Sequence, residues 1–464
     1  MNNMGNFEHR YKEGDVIGGE CQVRKVLGAG GFGVVYLVNH LEIRSLYALK
    51  TIRAELLADV NARRAFQQEA LVWVQLDEHP SILPARWVVE FSDQLFVAMD
   101  YVEPDTQGRV NLYDHLRGSH PLSAERILEW AIQFCLGMEH ANAHGVKCHR
   151  DIKPANILIS KGDLKITDFG LAAAAEVAWK EKLGVSGSLI TAGAVDGFGF
   201  SMSHSDGRIR CGTPGYMPPE VYRSESADVR SDIYSFGLVL WQMATGSVSP
   251  PFVKSSYGDV ECYMREAYER QMKGHIPPVA GPLRPVIERC LVPDPTKRYY
   301  NFGEMRDVLD TIFQNLSGRR VTIPITNTET VVFWGNKGAS FVALGRYEEA
   351  IRCFRRALDI DPRDAATWVG QGAALAELGR CDEAILSYDR ALAIDPRDAL
   401  AWMNKGKVVA TLGRKEEALV YYDEALGIDP QYPKIWYNKG IDLGALDRRN
   451  EAIACYDNSS SRSR

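Results

Sequence analysis

Short apolar runs alternate with polar segments in the N-terminal part of the chain, and these runs are rich in β-branched and aromatic side chains. Three of them have the length and composition of β-strands: Val34 to Val38, Tyr47 to Lys50 and Val97 to Val102. The segment from Asn61 to Leu76 instead places its apolar residues close to helical spacing, as in an amphipathic helix. The pattern therefore predicts a small sheet whose strands are interrupted by one helix.

The C-terminal part of the chain has a different pattern, in which several residue types recur every 34 positions. The recurring residues are Trp334, Trp368, Trp402 and Trp436; Gly338, Gly372, Gly406 and Gly440; Ala350, Ala384, Ala418 and Ala452; Phe354, Tyr388, Tyr422 and Tyr456; and Pro362, Pro396 and Pro430. Small residues let two helices touch closely, and aromatic residues fill the space between neighbouring pairs. The period predicts helical hairpins over 331–457, three of them full and a fourth incomplete, followed by a tail at 458–464. We interpret the periodic residues as packing and not as chemistry.

Composition limits the classes of function that remain open. The chain has 464 residues, enough for more than one domain, and its net charge of −6 offers no electrostatic case for nucleic acid. The nine cysteines include no Cys-x-x-Cys pair, which argues against a zinc site and against a disulfide framework. The sequence has neither a signal peptide nor an apolar run long enough to span a membrane. We therefore expect a cytoplasmic protein with no membrane partner.

One ordered set of polar residues between the two patterned regions carries chemistry. The segment from His149 to Asn156 is followed by Asp168, and together they supply an acid, a cation, an amide and a second acid. Asp151 can accept the proton of an attacking hydroxyl, and Lys153 can neutralise charge on a migrating phosphoryl group. Asn156 and Asp168 offer the oxygen ligands that Mg²⁺ prefers. The set predicts a phosphoryl-transfer site in which Asp151, Lys153 and Asn156 are catalytic.

A glycine-rich segment upstream fits the same chemistry. Its sequence is Leu27-Gly28-Ala29-Gly30-Gly31-Phe32-Gly33, and glycines let a backbone approach phosphate oxygens without a Cβ in the way. A helix follows such glycines in dinucleotide-binding folds, whereas here a strand-like run follows. Lys50 lies on the next predicted strand, and Glu69 is its natural partner because a buried acid needs a counter-charge. Glu55 and Glu78 are nearby alternatives to Glu69.

On these motifs, residues from about 15 to 316 resemble a eukaryotic-like (Hanks-type) serine/threonine protein kinase. The resemblance implies an α+β, bilobal fold with an N-terminal lobe over about 15–99, a C-terminal lobe over about 103–316, and ATP and Mg²⁺ between them. It implies that Met99 guards the back of the adenine pocket. The ATP-binding residues implied by the resemblance are Leu27, Gly28, Ala29, Gly30, Gly31, Phe32, Gly33, Val35, Ala48, Lys50, Glu69, Met99, Asp100, Val102 and Leu158, and the implied metal ligands are Asn156 and Asp168.

The segment from Gly212 to Glu220 resembles the part of a protein kinase that closes the activation loop and docks the substrate peptide. It contains Thr213 and ends Pro-Pro-Glu, where the family has Ala-Pro-Glu. By the same resemblance Glu220 pairs with Arg298, and Asp232 braces the catalytic loop. A small-molecule kinase would not be expected to carry this segment.

The stretch between Asp168 and Glu220 is longer than the family usually allows, and its surplus is rich in Gly and Ser. In relatives with an arginine before the catalytic acid, here Arg150, a phosphate on this stretch often orders it. We therefore expect autophosphorylation, with Ser186, Thr191 and Ser201 as candidate sites. A solvated insert without a regulatory role is the alternative.

The 34-residue period resembles the tetratricopeptide (TPR) repeat, so an all-α TPR solenoid is expected after a linker at 317–330. By resemblance, its inner groove includes Val369, Ala373, Glu377, Met403, Lys407 and Tyr437. This mostly apolar set predicts a protein or peptide ligand with apolar anchors. The whole chain is expected to phosphorylate Ser or Thr of a protein substrate, with repeats that recruit a substrate or regulator. The alternative is a catalytically silent, kinase-like scaffold that binds proteins through its repeats.

Overall fold

The computed structural model describes residues 10–29, 33–118, 121–169, 213–223, 226–252, 260–324 and 330–462. Contacts within the chain divide it into two compact units, Met1–Thr326 and Asn327–Arg464. The boundary falls inside the segment predicted as a linker. Six of the predicted site residues lie outside the described residues: Gly30, Gly31, Phe32, Ser186, Thr191 and Ser201.

The first unit begins with a six-stranded antiparallel sheet in the order β1-β2-β3-β4-β6-β5. Its strands are β1 (Val16–Ile17), β2 (Cys21–Ala29), β3 (Gly33–His40), β4 (Leu46–Ile52), β5 (Ala85–Phe91) and β6 (Gln94–Asp100). Side chains of alternating positions, such as Tyr36 and Val38 with Val23, pack into a core that also contains Leu49 and Phe96. The three strands predicted from the apolar runs are confirmed as β3, β4 and β6.

Helix α1 (Val60–Gln75) follows β4 and is the amphipathic helix predicted from residue spacing. It begins at Val60 because the side chain of Asp59 accepts hydrogen bonds from two backbone N–H groups of the first turn. Its buried face includes Phe66, Ala70 and Trp73. Glu69 lies on that same buried face, so the helix brings a carboxylate into the interior of the lobe.

The rest of the first unit is mainly helical. Its elements are α2 (Leu112–Leu116), α3 (Ala124–Ala143), β7 (Ile157–Ser160), β8 (Asp163–Ile166), α4 (Pro219–Tyr222), α5 (Val229–Thr245), α6 (Val260–Met272), α7 (Arg284–Cys290) and α8 (Phe302–Ser317). Phe134 of α3 stacks on Phe236 of α5, with ring centroids 3.8 Å apart, at the centre of this lobe. The β7–β8 hairpin follows Asn156 and precedes Asp168, so it brings the two predicted metal ligands to one end. Among the described residues, no helix combines the length and the apolar character needed to cross a membrane.

The second unit is built of helix pairs, and the predicted helical hairpins are confirmed. The helices are α9 (Val331–Ala343), α10 (Tyr347–Ile360), α11 (Ala365–Glu377), α12 (Cys381–Ile394), α13 (Ala399–Thr411), α14 (Lys415–Ile428), α15 (Pro433–Ala445) and α16 (Arg449–Arg462). A Cβ placed on Gly372 would lie 2.7 Å from the ring of Tyr388, so the two helices of this pair meet at a glycine. The indole N–H of Trp368 donates to the carbonyl of Pro362, 2.9 Å away, which ties the first helix to the preceding turn.

The tail predicted at 458–464 differs from the structure, in which helix α16 continues to Arg462. Within it, the amide of Asn458 donates to the carbonyl of Ala454. The guanidinium of Arg462 lies 5.4 Å from the ring centroid of Trp436, a cation–π distance. These contacts carry the helix beyond the point where the periodic residues stop.

Two residues predicted to line the groove of the repeats do not lie on an open surface. Val369 and Met403 are both buried. Met403 belongs to an apolar cluster with Tyr422 and Ile435, which lie on the two following helices. A charged substitution at Met403 would therefore test the stability of the repeats and not ligand binding. Tyr437, in contrast, is about half exposed, at 51%.

Candidate active site

The carboxylate of Asp232, in the first turn of α5, binds the backbone of the loop that carries Asp151. Asp232 accepts hydrogen bonds from the backbone N–H groups of His149 and Arg150, at 2.6 and 2.9 Å, and from the thiol of Cys148 at 3.2 Å. Arg150 has a φ of 69°, an unfavourable backbone angle for a residue with a side chain, and its N–H bond to Asp232 helps to hold it there. Burial raises the pKa of Asp232, and the neighbouring His149 and the donated hydrogen bonds oppose that rise. The bracing role predicted for Asp232 is present as these contacts.

Asp151 is buried but surrounded by donors. Lys153 Nζ and Asn156 Nδ2 each lie 2.9 Å from its Oδ2, and the hydroxyl of Thr213 donates to Oδ1 at 2.8 Å. Burial alone would raise the pKa of Asp151, but the charge of Lys153 and the donated hydrogen bonds outweigh it and lower the pKa. The carboxylate is therefore ionised at neutral pH and able to accept a proton.

Asp168 and Glu69 approach Lys50 from two sides. Lys50 Nζ lies 2.7 Å from Glu69 Oε1 and 2.5 Å from Asp168 Oδ1. Burial favours the neutral amine, but the carboxylates of Asp168 and Glu69 outweigh it and raise the pKa of Lys50. Lys50 thus remains a cation in a buried position. The predicted pairing with Glu69 is present, whereas Glu55 lies 3.6 Å from Arg53 and Glu78 lies 2.6 Å from Arg86.

The residue after Asp168 links helix α1 to the Asp151 loop. Phe169 is fully buried, with its ring centroid 5.5 Å from that of Trp73 and 4.8 Å from that of His149. His149 also shares a hydrogen bond with the carbonyl of Thr167 through Nε2, 3.0 Å away. Because Trp73 lies one helical turn after Glu69, this packing couples the position of Glu69 to that of Asp168.

Two of the predicted nucleotide-binding residues, Ala48 and Met99, lie opposite each other in the sheet. Ala48 of β4 and Met99 of β6 are register partners on adjacent strands, and Ala48, Met99 and Val102 are buried. A Cβ on Gly33 would lie 2.9 Å from the carbonyl oxygen of Thr51, so only glycine fits there without a shift. The remaining described members of the predicted set lie on three other strands: Leu27, Gly28 and Ala29 on β2, Val35 on β3 and Leu158 on β7.

Asp100, the residue after Met99, is bound by Arg86, which the sequence analysis did not identify. The guanidinium of Arg86 donates to both carboxylate oxygens of Asp100, each at 2.6 Å, and to Glu78 at 2.6 Å. The backbone N–H of Asp100 donates to the carbonyl of Pro84 at 3.4 Å. No motif in the sequence marks Arg86.

The segment that ends at Glu220 is fixed by a buried ion pair. Arg298 forms two parallel bonds to the Glu220 carboxylate, at 2.8 and 2.9 Å, and the hydroxyl of Ser231 donates to the same carboxylate at 2.7 Å. The guanidinium also donates to three backbone carbonyls and lies over the ring of Tyr234. The predicted Glu220–Arg298 pair is present, and it anchors the chain four residues beyond Tyr216.

Comparison with known proteins gives two family matches. A model described as Protein kinase domain matches residues 21–311, and one described as Tetratricopeptide repeat matches residues 336–399 and 379–433. The first match lies within the predicted 15–316, and the second lies within 331–457.

Three curated bacterial proteins are similar to the first unit. A probable serine/threonine-protein kinase of Streptomyces coelicolor is 32% identical over 62% of this chain and 39% of its own length. The serine/threonine-protein kinase PknB of Mycolicibacterium smegmatis is 31% identical over 61% of this chain and 41% of its own length. The serine/threonine-protein kinase PrkC of Bacillus subtilis is 30% identical over 67% of this chain and 43% of its own length. The chain thus spans about two fifths of the length of the curated relatives it matches.

Proposed function

This chain belongs to the protein kinase family, and we propose that it is a serine/threonine protein kinase that uses ATP and Mg²⁺. The observation that carries the proposal is the environment of Asp151. Its carboxylate is ionised in a buried position and lies within hydrogen-bond distance of Lys153, Asn156 and Thr213. A general base must be ionised before it can accept a proton, and it must be oriented and shielded from water.

In the proposed reaction a serine or threonine hydroxyl of the substrate attacks the γ-phosphorus of ATP in line with the leaving ADP. The proton of the hydroxyl passes to a carboxylate oxygen of Asp151 as the new O–P bond forms and the bond to ADP breaks. Lys153, 2.9 Å from Asp151, is a fixed positive charge beside the transferring group. The amide of Asn156 holds the same carboxylate and keeps its orientation.

The residues present fit a magnesium ion. Asp168 offers a carboxylate, and Asn156 offers its amide oxygen Oδ1 because its Nδ2 is engaged with Asp151. Asp168 already lies against the ammonium group of Lys50, so a positive charge is stabilised at this position. Within the described residues, no cluster of three or more His, Cys, Asp or Glu side chains could hold a metal. Two oxygen ligands completed by phosphate and water suit Mg²⁺, which when bound would neutralise charge on the phosphates.

The proposed ATP site lies between the two lobes. Adenine would pack against Ala48, Met99 and Val102, which are buried and apolar. The α- and β-phosphates would meet Lys50, whose charge is maintained by Glu69. The glycine-rich strand end, with Gly28 open to its surroundings and Gly33 close to Thr51, leaves room for the phosphates beside the backbone.

We propose that the helix pairs of the second unit bind a protein or peptide and bring a substrate or regulator to the kinase. The exposed apolar side chains of α15, Tyr437 at 51% and Ile441 at 45%, support an apolar contact. Lys407 and Glu377 are exposed and lie 3.7 Å apart, so the adjoining surface is polar but nearly balanced in charge. Such a surface suits a peptide with apolar anchors more than a highly charged one.

The test is transfer of labelled phosphate from ATP and Mg²⁺ to the chain itself and to myelin basic protein. Asp151→Asn and Asp168→Ala are expected to abolish incorporation, whereas Asp105→Asn, a partly exposed loop carboxylate paired with Arg109, is expected to retain it. Incorporation that persists at the wild-type level in Asp151→Asn would contradict the proposal. Absence of incorporation by the wild type, together with measurable Mg·ATP binding, would favour the scaffold alternative.

A further inference from the structure

The turn that follows Thr213 borders the place where the substrate hydroxyl must lie. Thr213 donates to Asp151 Oδ1 at 2.8 Å and accepts from Lys153 Nζ at 2.9 Å. The chain then forms a tight turn over Pro214–Tyr216, closed by a bond from the Tyr216 N–H to the Thr213 carbonyl at 2.9 Å. A substrate hydroxyl that transfers its proton to Asp151 must therefore approach beside this turn. A shift of the turn would displace that hydroxyl.

Two buried side chains from different helices hold this turn by its backbone. The hydroxyl of Ser235, on α5, donates to the carbonyl of Tyr216 at 2.8 Å. The amide of Gln271, in the last turn of α6, donates to the carbonyl of Met217 at 2.9 Å. These are consecutive carbonyls at the end of the turn that begins at Thr213. Both side chains are buried, and that of Gln271 has no exposed surface.

The amide of Gln271 is used for its N–H and not for its oxygen. A carbonyl oxygen only accepts, so the atom facing Met217 must be the amide nitrogen. Among the residues that the structure describes, the Gln271 oxygen has no hydrogen-bond partner although it is buried. A buried, unsatisfied acceptor is unfavourable. The glutamine thus retains an unsatisfied oxygen while its amide holds the Met217 carbonyl.

Apolar packing joins α6 to the same segment. Met217, Tyr222 and Ala267 form a small buried cluster, and the rings of Tyr222 and Tyr268 lie 5.9 Å apart. This cluster fixes the distance between helix and turn, whereas the Gln271 bond is directional and fixes the orientation of the Met217 peptide unit. The two interactions therefore have separable effects.

We infer that Gln271 and Ser235 are positioning residues that set the phosphoacceptor geometry by holding the carbonyls of residues 216 and 217. The inference rests on the proposed kinase function. A substrate protein needs the turn in place to align its hydroxyl on Asp151. Hydrolysis of ATP by water in the same site does not need it, because water has no chain to align. Among the described residues, the bonds of Lys50 that would hold the nucleotide site together go to Glu69 and Asp168, and not to these two side chains.

The matched control is Gln242, which resembles Gln271 in its burial, in its bonding to backbone carbonyls and in its unsatisfied oxygen. It is a fully buried glutamine of the same lobe, its amide donates to the carbonyls of Ser247 and Val248, and its oxygen is also unsatisfied among the described residues. Gln242→Leu and Gln271→Leu each remove one short bond from the amide to a backbone carbonyl, at 2.7 Å in Gln242 and 2.9 Å in Gln271, and Gln242→Leu also removes a longer bond at 3.4 Å. They should therefore lower overall stability to a similar extent.

The experiment compares wild type, Gln271→Leu, Ser235→Ala and Gln242→Leu in two assays: phosphorylation of myelin basic protein, and hydrolysis of Mg·ATP with no protein acceptor. Loss of one hydrogen bond corresponds to about fivefold. We expect kcat/KM for myelin basic protein to fall about fivefold in Gln271→Leu and in Ser235→Ala, mainly through KM, with ATP hydrolysis per folded molecule unchanged. Gln242→Leu should keep the wild-type ratio of the two activities.

Other outcomes overturn the inference. A parallel loss of both activities in Gln271→Leu would mean a merely structural role, and so would an equal loss of protein phosphorylation in Gln242→Leu. If Gln271→Leu does not fold, an unchanged ratio in Ser235→Ala has the same meaning. Failure of the underlying kinase function is distinguished by Asp151→Asn, because wild-type incorporation must exceed that of this variant before the ratio is interpreted.

Discussion

At the scale of single residues, the Glu220–Arg298 pair shows how this chain accommodates charge in its interior. The side chain of Glu220 is only 4% exposed and that of Arg298 is 0% exposed. Two parallel hydrogen bonds join the guanidinium to the two carboxylate oxygens. We expect Arg298→Leu to lower the free energy of unfolding by about 3–5 kcal/mol, because it leaves the Glu220 charge buried and unpaired. Urea unfolding measures this loss.

The control for that substitution is an exposed arginine in a similar pair. Arg284 lies 2.8 Å from Glu288, but the two side chains are 64% and 48% exposed. Arg284→Leu should therefore change stability by about 1 kcal/mol or less. Equal effects of the two substitutions would mean that the buried pair is not a main anchor of the segment.

Three neighbouring histidines predict a pH dependence of stability. The rings of His79 and His140 lie 4.8 Å apart and those of His140 and His144 lie 4.1 Å apart. Burial, followed by the charges of His140, Lys165 and His144, lowers the pKa of His79 to about 4. The unfolded chain binds a proton on His79 more tightly than the folded chain does. The contribution of His79 to folding stability is therefore fully present above about pH 6.5, and it is lost as the pH falls from 6.5 towards 4.

The variant His79→Asn removes the titrating ring and tests this sign. Between pH 7 and pH 5 the free energy of unfolding should fall less in the variant than in the wild type. The difference should be about 1 kcal/mol or less, because the ring is only partly buried and water screens it. Urea unfolding at each pH gives the two slopes, and identical slopes would show that His79 does not titrate in this range.

Residue chemistry could be predicted from the sequence where a motif fixes the spacing, and not where contacts join distant segments. Asp151, Asn156 and Asp168 are close in the chain on either side of one hairpin, so their meeting was predictable. Gln271 lies 54 positions from Met217 in the chain. In the sequence it cannot be distinguished from a glutamine on the exposed face of a helix. Only the fold shows that it is buried against a carbonyl.

At the scale of elements, the period of the repeats reflects close contact between helices at glycine. A Cβ on Gly406 would lie 2.7 Å from the ring of Tyr422, which is itself held by a bond from its hydroxyl to Asp442 at 3.1 Å. Because the ring cannot easily move, we expect Gly406→Ala to destabilise the second unit by about 1–3 kcal/mol. The measurement is thermal or urea unfolding followed by helical circular dichroism.

The matched control is Gly427 in α14, where an added Cβ meets nothing within 4 Å. Gly427→Ala should leave stability unchanged or raise it by up to about 1 kcal/mol, because alanine favours the helix. A stabilising effect of Gly406→Ala would contradict the view that this periodic glycine marks a helix–helix contact.

The repeats also mark the limit of what periodicity predicts at the scale of elements. The period assigns each residue to a helix face, which was enough to predict the helical hairpins. It does not state how far the side chains of the next repeat extend, and Met403 is covered by a cluster that includes Ile435 of α15. It also fails beyond the last periodic residue, where helix α16 continues to Arg462 through residues predicted as a tail, with a bond from Asn458 to Ala454.

At the scale of the whole molecule, each of the two units has its own apolar core. One core in the first unit contains Val38 and Phe96, and one in the second contains Tyr422 and Ile435. Domains with separate cores can unfold as separate cooperative units. The substitutions argued above should therefore act on different transitions, Arg298→Leu on the first unit and Gly406→Ala on the second.

Calorimetry of the full chain with and without Mg·ATP tests this division. If the nucleotide binds only the first unit, only the unfolding temperature of that unit should rise. At a ligand concentration a hundredfold above Kd, the free energy of unfolding of the first unit should increase by about 2.7 kcal/mol. In Gly406→Ala the unfolding temperature of the second unit should fall. The shift that ATP produces in the first unit should stay the same, because Gly406 packs in the core of the second unit. A single transition that moves as a whole with either change would show that the units unfold together, and the effects of distant substitutions would then have to be interpreted jointly.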